Sequence, residues 1–209
     1  MNDAEKIGQV KELILSQNLE KIFELVSLAL SIQDEEDRDL YLLDAIRWLI
    51  KNGIWQKAYG AAQLMSESYE KSQALQEVGD YLALIGHLEK AFPIFAEAEK
   101  ASTIDTIAEW QKAELLPNIA KSLRRANAVF KADEVWERAI GTAQKGEESP
   151  SSQDSYDSSG VLAEIAEHFA AEERLDRALD IGRRIKNIGI KERVLQQISA
   201  VSRRTKRVA

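Results

Sequence analysis

Over residues 161–178, VLAEIAEHFAAEERLDRA, the apolar positions follow a helical period. Leu162, Ile165, Ala166 and Phe169 stand at i, i+3, i+4 and i+7, which draws one stripe down a helix. A polar turn follows at Glu172-Glu173-Arg174. Leu175 then opens a second periodic run whose stripe is Ala178, Ile181 and Ile185. Two amphipathic helices joined so tightly lie antiparallel, and one such hairpin cannot bury both of its own stripes. It requires neighbours of its own kind.

The chain supplies them. Leu116, Ile119, Ala120 and Leu123 repeat the first helix, with Ala132, Trp136 and Ala139 as the second. Leu75, Val78, Gly79 and Leu82 precede Gly86, Ala91 and Phe95. Leu42, Ala45, Ile46 and Leu49 precede Gly53, Ala58, Ala62 and Met65. The leading leucines fall at 42, 75, 116, 162 and 195, in steps of 33, 41, 46 and 33. Equal steps interrupted by longer ones mark a repeat with insertions in its connections. Ala58, Ala91, Ala132 and Ala178 each lie sixteen residues after a leading leucine, while Gly79, Ala120 and Ala166 are small on the facing helix. Small residues opposite one another let two helices cross toward the short end of the usual ~8–10 Å spacing.

This spacing and the small-residue code resemble the tetratricopeptide-repeat family over about residues 38–202. The resemblance implies an all-α, right-handed α-solenoid: one domain of about five antiparallel hairpins with a C-terminal capping helix. The expected parts are a degenerate first hairpin at 5–31 and repeats at about 38–68, 71–100, 112–143 and 158–186, then a final helix at 190–202. Ser16-Gln-Asn18 is expected to join the first pair, and Ser102 to Asp105 to lead into an early helix start at Asp105. Pro117 kinks the fourth pair if that helix starts near Asp105, and is harmless if it starts near Leu115. Residues 33–39, QDEEDRD, read as a charged connector near a helix N-terminus. Residues 146–159, GEESPSSQDSYDSS, read as a flexible loop.

The composition narrows the function. Among 209 residues, 44% are apolar, 30% are charged and none is cysteine, so no disulfide, thiolate zinc site or cysteine nucleophile is available. No apolar run approaches the ~18 residues of a membrane span, and Met1-Asn-Asp-Ala-Glu lacks the features of a signal peptide. A cytoplasmic protein is expected. Residues 1–173 carry a net −15 and residues 174–209 a net +8, so a basic tail at 203–209, with Arg203, Arg204, Lys206 and Arg207, ends an acidic body. Such a tail suits an anionic surface, whether an acidic protein, nucleic acid or membrane. The acidic body argues against nucleic acid as the main ligand.

No catalytic constellation can be assembled. His87 and His168 are the only histidines, and HExxH, a phosphate loop and GxSxG are absent. Glu164, Glu167 and His168 share a helical region, yet the second carboxylate–histidine set of a di-metal bundle is missing. No enzymatic activity, no metal and no cofactor are expected. Among the aromatics, Trp48 and Tyr81 sit beside their stripes and are the candidates for exposed contacts.

What remains is a scaffold or adaptor that binds another protein or a peptide segment. The resemblance places the ligand on the inner face of the first helices. Carried over, that face comprises Leu43, Arg47, Ile50 and Lys51, then Gln76, Asp80 and Leu84, then Pro117, Lys121, Arg124 and Arg125, then Ala163, Glu167 and Ala170. The family's carboxylate clamp uses lysine and asparagine from successive repeats; here only Asn118 with Lys121 offers such a pair, so no clamp is assigned. Arg47, Lys51, Lys121, Arg124 and Arg125 are expected to line the groove with positive charge, for an acidic segment. Self-association through the C-terminal helix is a further expectation, since Val194, Leu195, Ile198 and Val201 make a stripe that no second helix follows.

Overall fold

The computed structural model describes residues 2–16, 22–66, 69–102, 109–149 and 151–208. The expected joins at Gln17-Asn18 and at 103–105 lie outside them. Eleven helices and, among the described residues, no strand make the fold all-α. They are α1 (Asp3–Ser16), α2 (Ile22–Leu30), α3 (Glu35–Lys51), α4 (Trp55–Gln63), α5 (Tyr69–Leu84), α6 (Leu88–Ser102), α7 (Glu109–Arg125), α8 (Val129–Gly146), α9 (Ser152–Ala171), α10 (Leu175–Arg184) and α11 (Ile188–Val208).

The chain divides into two compact units. Unit 1 comprises residues 1–106 and 121–128, and unit 2 residues 107–120 and 129–209, so the division falls inside α7. In unit 1, α1 pairs with α2, α3 with α4 and α5 with α6; α2 also packs on α3, and α3 and α4 on α5. In unit 2, α8 packs on α9, α9 on α10, and both α9 and α10 on α11. Each unit is thus built from stacked helical hairpins.

The repeat code explains the packing. Leu42, Leu75, Leu116 and Leu162 are at most 1% exposed, and Ala58, Ala91, Ala132 and Ala178 are fully buried. Gly79 marks a tight crossing of α5 and α6. A Cβ there would lie 2.6 Å from Cε1 of Phe95, so the ring occupies the space a methyl would need.

Four helix-to-helix turns close the same way. The residue eleven after each leading leucine adopts the left-handed conformation: Gly53 (φ 77°), Gly86 (φ 84°), Asn127 (φ 59°) and Glu173 (φ 61°). The next residue's N–H returns to a first-helix carbonyl five residues back: Ile54 to Leu49, His87 to Leu82, Ala128 to Leu123 and Arg174 to Phe169, at 2.8–2.9 Å. The left-handed residue itself donates three residues back, from Gly53 to Ile50 and correspondingly in the others, which completes a Schellman closure. Glycine suits the position because it carries no Cβ penalty.

Other expectations change. The charged connector does start a helix: Asp34 Oδ1 accepts the Asp37 N–H at 3.0 Å, and Glu35, Glu36 and Asp37 sit in the first turn, where the dipole favours carboxylates. The loop expected at 146–159 is mostly helix, because α9 begins at Ser152 behind a Ser151 cap that accepts the Asp154 N–H at 3.3 Å. The basic tail is likewise helical, since α11 continues to Val208. Pro117 lies inside α7, and Pro93, which the repeat pattern did not single out, lies inside α6. Each leaves one carbonyl in the preceding turn without its helical donor. Trp48, expected to be available for contact, is 8% exposed and belongs to the core.

Candidate functional site

Unit 1 carries a groove of about 540 Å³, lined by Ile50 of α3, by Glu77, Asp80, Tyr81, Ala83 and Leu84 of α5, and by Ser122 and Arg125 at the end of α7. The helical period of α5 produces it. Asp80 and Leu84 are one turn apart on the face opposite the buried stripe of Leu75, Val78, Gly79 and Leu82. Tyr81 leans toward the α3–α4 turn, where its hydroxyl would stand 3.3 Å from a Cβ at Gly53. Leu84 is 84% exposed at the groove, far above the accessibility of any core leucine.

The floor is polar, with Gln76 and Ser122 buried and the Asp80 side chain partly exposed. Gln76 Nε2 donates to Asp80 Oδ2 at 3.0 Å and to Ser122 Oγ at 3.5 Å. Arg125 Nη2 donates to Ser122 Oγ at 3.4 Å and stands 3.7 Å from Asp80 Oδ2. Burial pushes the Asp80 carboxyl above its ordinary range, against the opposing pull of Ser122, Arg125 and Gln76. At the rim Arg47 makes a two-pronged pair with Glu77, Nη2 to Oε1 at 2.9 Å and Nε to Oε2 at 3.1 Å, with Asp44 3.5 Å from Nη1. The Glu77 carboxylate holds the Arg47 guanidinium above its usual pKa range.

The groove brings together Ile50, Asp80, Leu84 and Arg125 of the expected face, with Gln76 in the floor and Arg47 paired at the rim. Lys51 is exposed at the end of α3. Leu43, Pro117, Ala163 and Ala170 are buried, so their place in the carried-over face is corrected: the core uses them. Lys121, Arg124 and Glu167 are half-buried. Asn118 spends an amide hydrogen on the Glu114 carbonyl at 3.4 Å. Arg203 is exposed, and the side chains of Arg204, Lys206 and Arg207 lie outside those described.

Of the cations expected to line the groove, Arg47 pairs with Glu77 and Arg125 stands 3.7 Å from Asp80, so α5 adds negative charge there. Glu77, Ala83 and Ser122 were missed by the sequence reading, whereas Tyr81, named there as a candidate exposed contact, lines the groove. The available signal was register, since each stands within a turn of a residue that reading chose.

Unit 2 contains two aromatic and polar clusters. His168 stacks on Trp136 with centroids 4.8 Å apart, and Phe169 is tilted against the same indole at 5.5 Å. Glu147, 5% exposed, follows the last turn of α8. Its Oε1 accepts from the Ser159 hydroxyl and, at 2.9 Å, from the Lys186 N–H. It thereby ties α8, α9 and the α10–α11 connection together. A Cβ at Gly146 would fall 2.0 Å from Ser158 Oγ, so glycine makes room for this junction.

No family model matches the chain, and no curated protein matches it. Among solved structures, the crystal structure of Ton1535 from Thermococcus onnurineus NA1 superposes with a TM-score of 0.53 at 16% identity, covering 95% of this chain. This chain spans 56% of the length of that one. A "DHF58 filament" (17% identity, 98% of this chain and 97% of that chain) reaches 0.30. The de novo designed helical repeat protein DHR64 (16%, 99% and 98%) reaches 0.27. Scores at this level carry no argument. The chain therefore shares its all-helical, repeat-built fold with Ton1535, and that likeness concerns the fold alone.

Proposed function

We propose that this chain is a tetratricopeptide-like, non-enzymatic scaffold of the cytoplasm that binds a segment of another protein in the groove of unit 1. The observation that carries the reading is Leu84, a large apolar side chain 84% exposed beside a groove of about 540 Å³ that already holds apolar walls and a hydrogen-bonded polar floor. Apolar anchors surrounded by satisfied polar groups are how interfaces concentrate their energy. The lining sets the carboxylates of Glu77 and Asp80, the hydroxyls of Tyr81 and Ser122 and the Arg125 guanidinium beside apolar walls, a mixture that suits recognition of a peptide segment.

A second reading rests on the charge of the C-terminal region: α11 runs helical to Val208 and Arg183, Arg193 and Arg203 are exposed, giving an anionic surface somewhere to dock. Affinity capture with wild type, Leu84→Glu and a chain lacking residues 203–209 separates the two. Loss of partners with Leu84→Glu alone supports the groove. Loss on truncation alone overturns it in favour of the basic helix.

A further inference from the structure

Three consecutive first helices bear on the groove of unit 1, and the repeat gives them one register. The residue nine after the leading leucine is Lys51 on α3, Leu84 on α5 and Arg125 on α7. All three are exposed: Leu84 by 84%, the Arg125 side chain by 70%, and Lys51 at the end of its helix. Equivalent positions on stacked repeats form a row across the helices. The row reads cation, large apolar, cation.

The interior of the groove does not use these three side chains fully. Arg47 is the cation that neutralises Glu77, through a close two-pronged pair. Arg125 stands 3.7 Å from Asp80, beyond hydrogen-bond length, and Asp80 already accepts from Gln76 at 3.0 Å. Arg125 can therefore turn toward a ligand without stripping Asp80 of its hydrogen bond. Ile50, Tyr81 and Ala83 line the groove beside Leu84 and add to the apolar wall.

We infer that the groove takes an extended peptide segment with a large apolar residue flanked on each side by a carboxylate, the apolar side chain meeting Leu84 and the two carboxylates meeting Lys51 and Arg125. The spacing follows from general geometry. Helices packed side by side stand about 9 Å apart, and an extended chain rises about 3.3 Å per residue, so each acid belongs about three residues from the apolar residue. A helical ligand would need a different spacing, since its rise is about 1.5 Å per residue. This inference rests on the groove reading above and adds to it the chemistry and register of the partner.

The test uses the full chain and three fluorescein-labelled synthetic peptides, each a leucine in a serine–glycine background. The first has a glutamate three residues away on either side, the second lysines at those places, and the third glutamates directly beside the leucine. Fluorescence polarisation at low salt is expected to give the first peptide about tenfold tighter binding than either of the others, with the preference falling as salt rises. Lys51→Glu and Arg125→Glu should each erase the preference between the first two peptides, and the double variant should reverse it. Equal binding of all three, preference for lysine, or no binding by wild type overturns the assignment. Leu84→Glu separates this failure from that of the groove itself. If it abolishes an indiscriminate binding, the groove stands and the charge pattern falls; if binding of the first peptide survives it, both fall. A circular-dichroism melt matching wild type shows that each variant is folded.

Discussion

Unit 1 and unit 2 are built from the same repeat and their turns close alike, yet different devices hold their helices together. In unit 1 the α5–α6 crossing depends on a missing side chain: Gly79 leaves the space that the Phe95 ring fills. In unit 2 the lengthened connection between α8 and α9 is held by a buried carboxylate, with Glu147 accepting from Ser159 and from the Lys186 backbone. An unmodified repeat can be locked by shape alone. One with an insertion gains backbone groups that no neighbouring repeat satisfies, and a polar anchor takes their hydrogen bonds. The units also differ in what they expose: unit 1 places Leu84 beside a groove, where the equivalent position of α9 is Ala171.

The largest effect that tests this contrast is expected in unit 1. Gly79→Leu should destabilise the protein by about 3 kcal/mol, because the Phe95 ring lies in a packed interior and has nowhere to move. A near-wild-type thermal melt would show that shape does not lock this hairpin. Ala132→Trp and Ala178→Trp, at fully buried crossings of unit 2, should each cost about 1–3 kcal/mol in the same assay.

In unit 2 the chemical nature of the anchor decides the outcome. Glu147→Ala leaves the Ser159 hydroxyl and the Lys186 N–H without their acceptor and should cost about 2 kcal/mol. Glu147→Gln keeps an acceptor oxygen and should cost clearly less. Equal urea midpoints for the two variants would remove the hydrogen bonds from the account.

The turns supply a smaller comparison. Gly53, Gly86 and Asn127, residues that tolerate the left-handed position, hold it in unit 1, whereas Glu173 holds it in unit 2 with a side chain that disfavours it. Glu173→Gly should stabilise by a net of about 0.5 kcal/mol, the relief of strain being offset in part by the greater freedom of the unfolded chain. A lower melting temperature would mean that the Glu173 side chain contributes more than its backbone costs.

The smallest effect belongs to Asp80 and carries a sign that depends on pH. Burial raises its pKa in the folded chain, so the folded state favours the neutral form and ionisation above that pKa is destabilising. Asp80→Asn should therefore melt slightly higher than wild type at neutral pH. The advantage should shrink as pH falls through the raised Asp80 value toward the ordinary aspartate range. An advantage that grows on acidification would show that the Arg125 pair, and not burial, governs this carboxylate.

Much of the fold was legible because it depends on local period. Leucines at 42, 75, 116 and 162 and alanines sixteen residues later are buried as the pattern requires, since a helix fixes which residues share a face. The Ser-rich segment after α8 was misread for the complementary reason. Serine and aspartate look solvated in sequence, but Ser158 and Ser159 are buried and the hydroxyl of Ser159 is bonded to Glu147. The groove was half legible: register selected Ile50, Asp80, Leu84 and Arg125, whereas the neutralisation of Arg47 by Glu77 depends on how α3 and α5 come together.

By itself the sequence determined an all-helical chain of hairpins, the residues facing each core, and the absence of cysteine chemistry, because these follow from side-chain period and inventory. Only the tertiary structure decided that the chain forms two compact units, that Trp48 and Leu43 are core while Leu84 is bare, and that Arg47 pairs with Glu77 while Arg125 stands near Asp80. Those outcomes depend on distances between helices far apart along the chain, and a periodic pattern specifies which face is buried without specifying which neighbour will meet it.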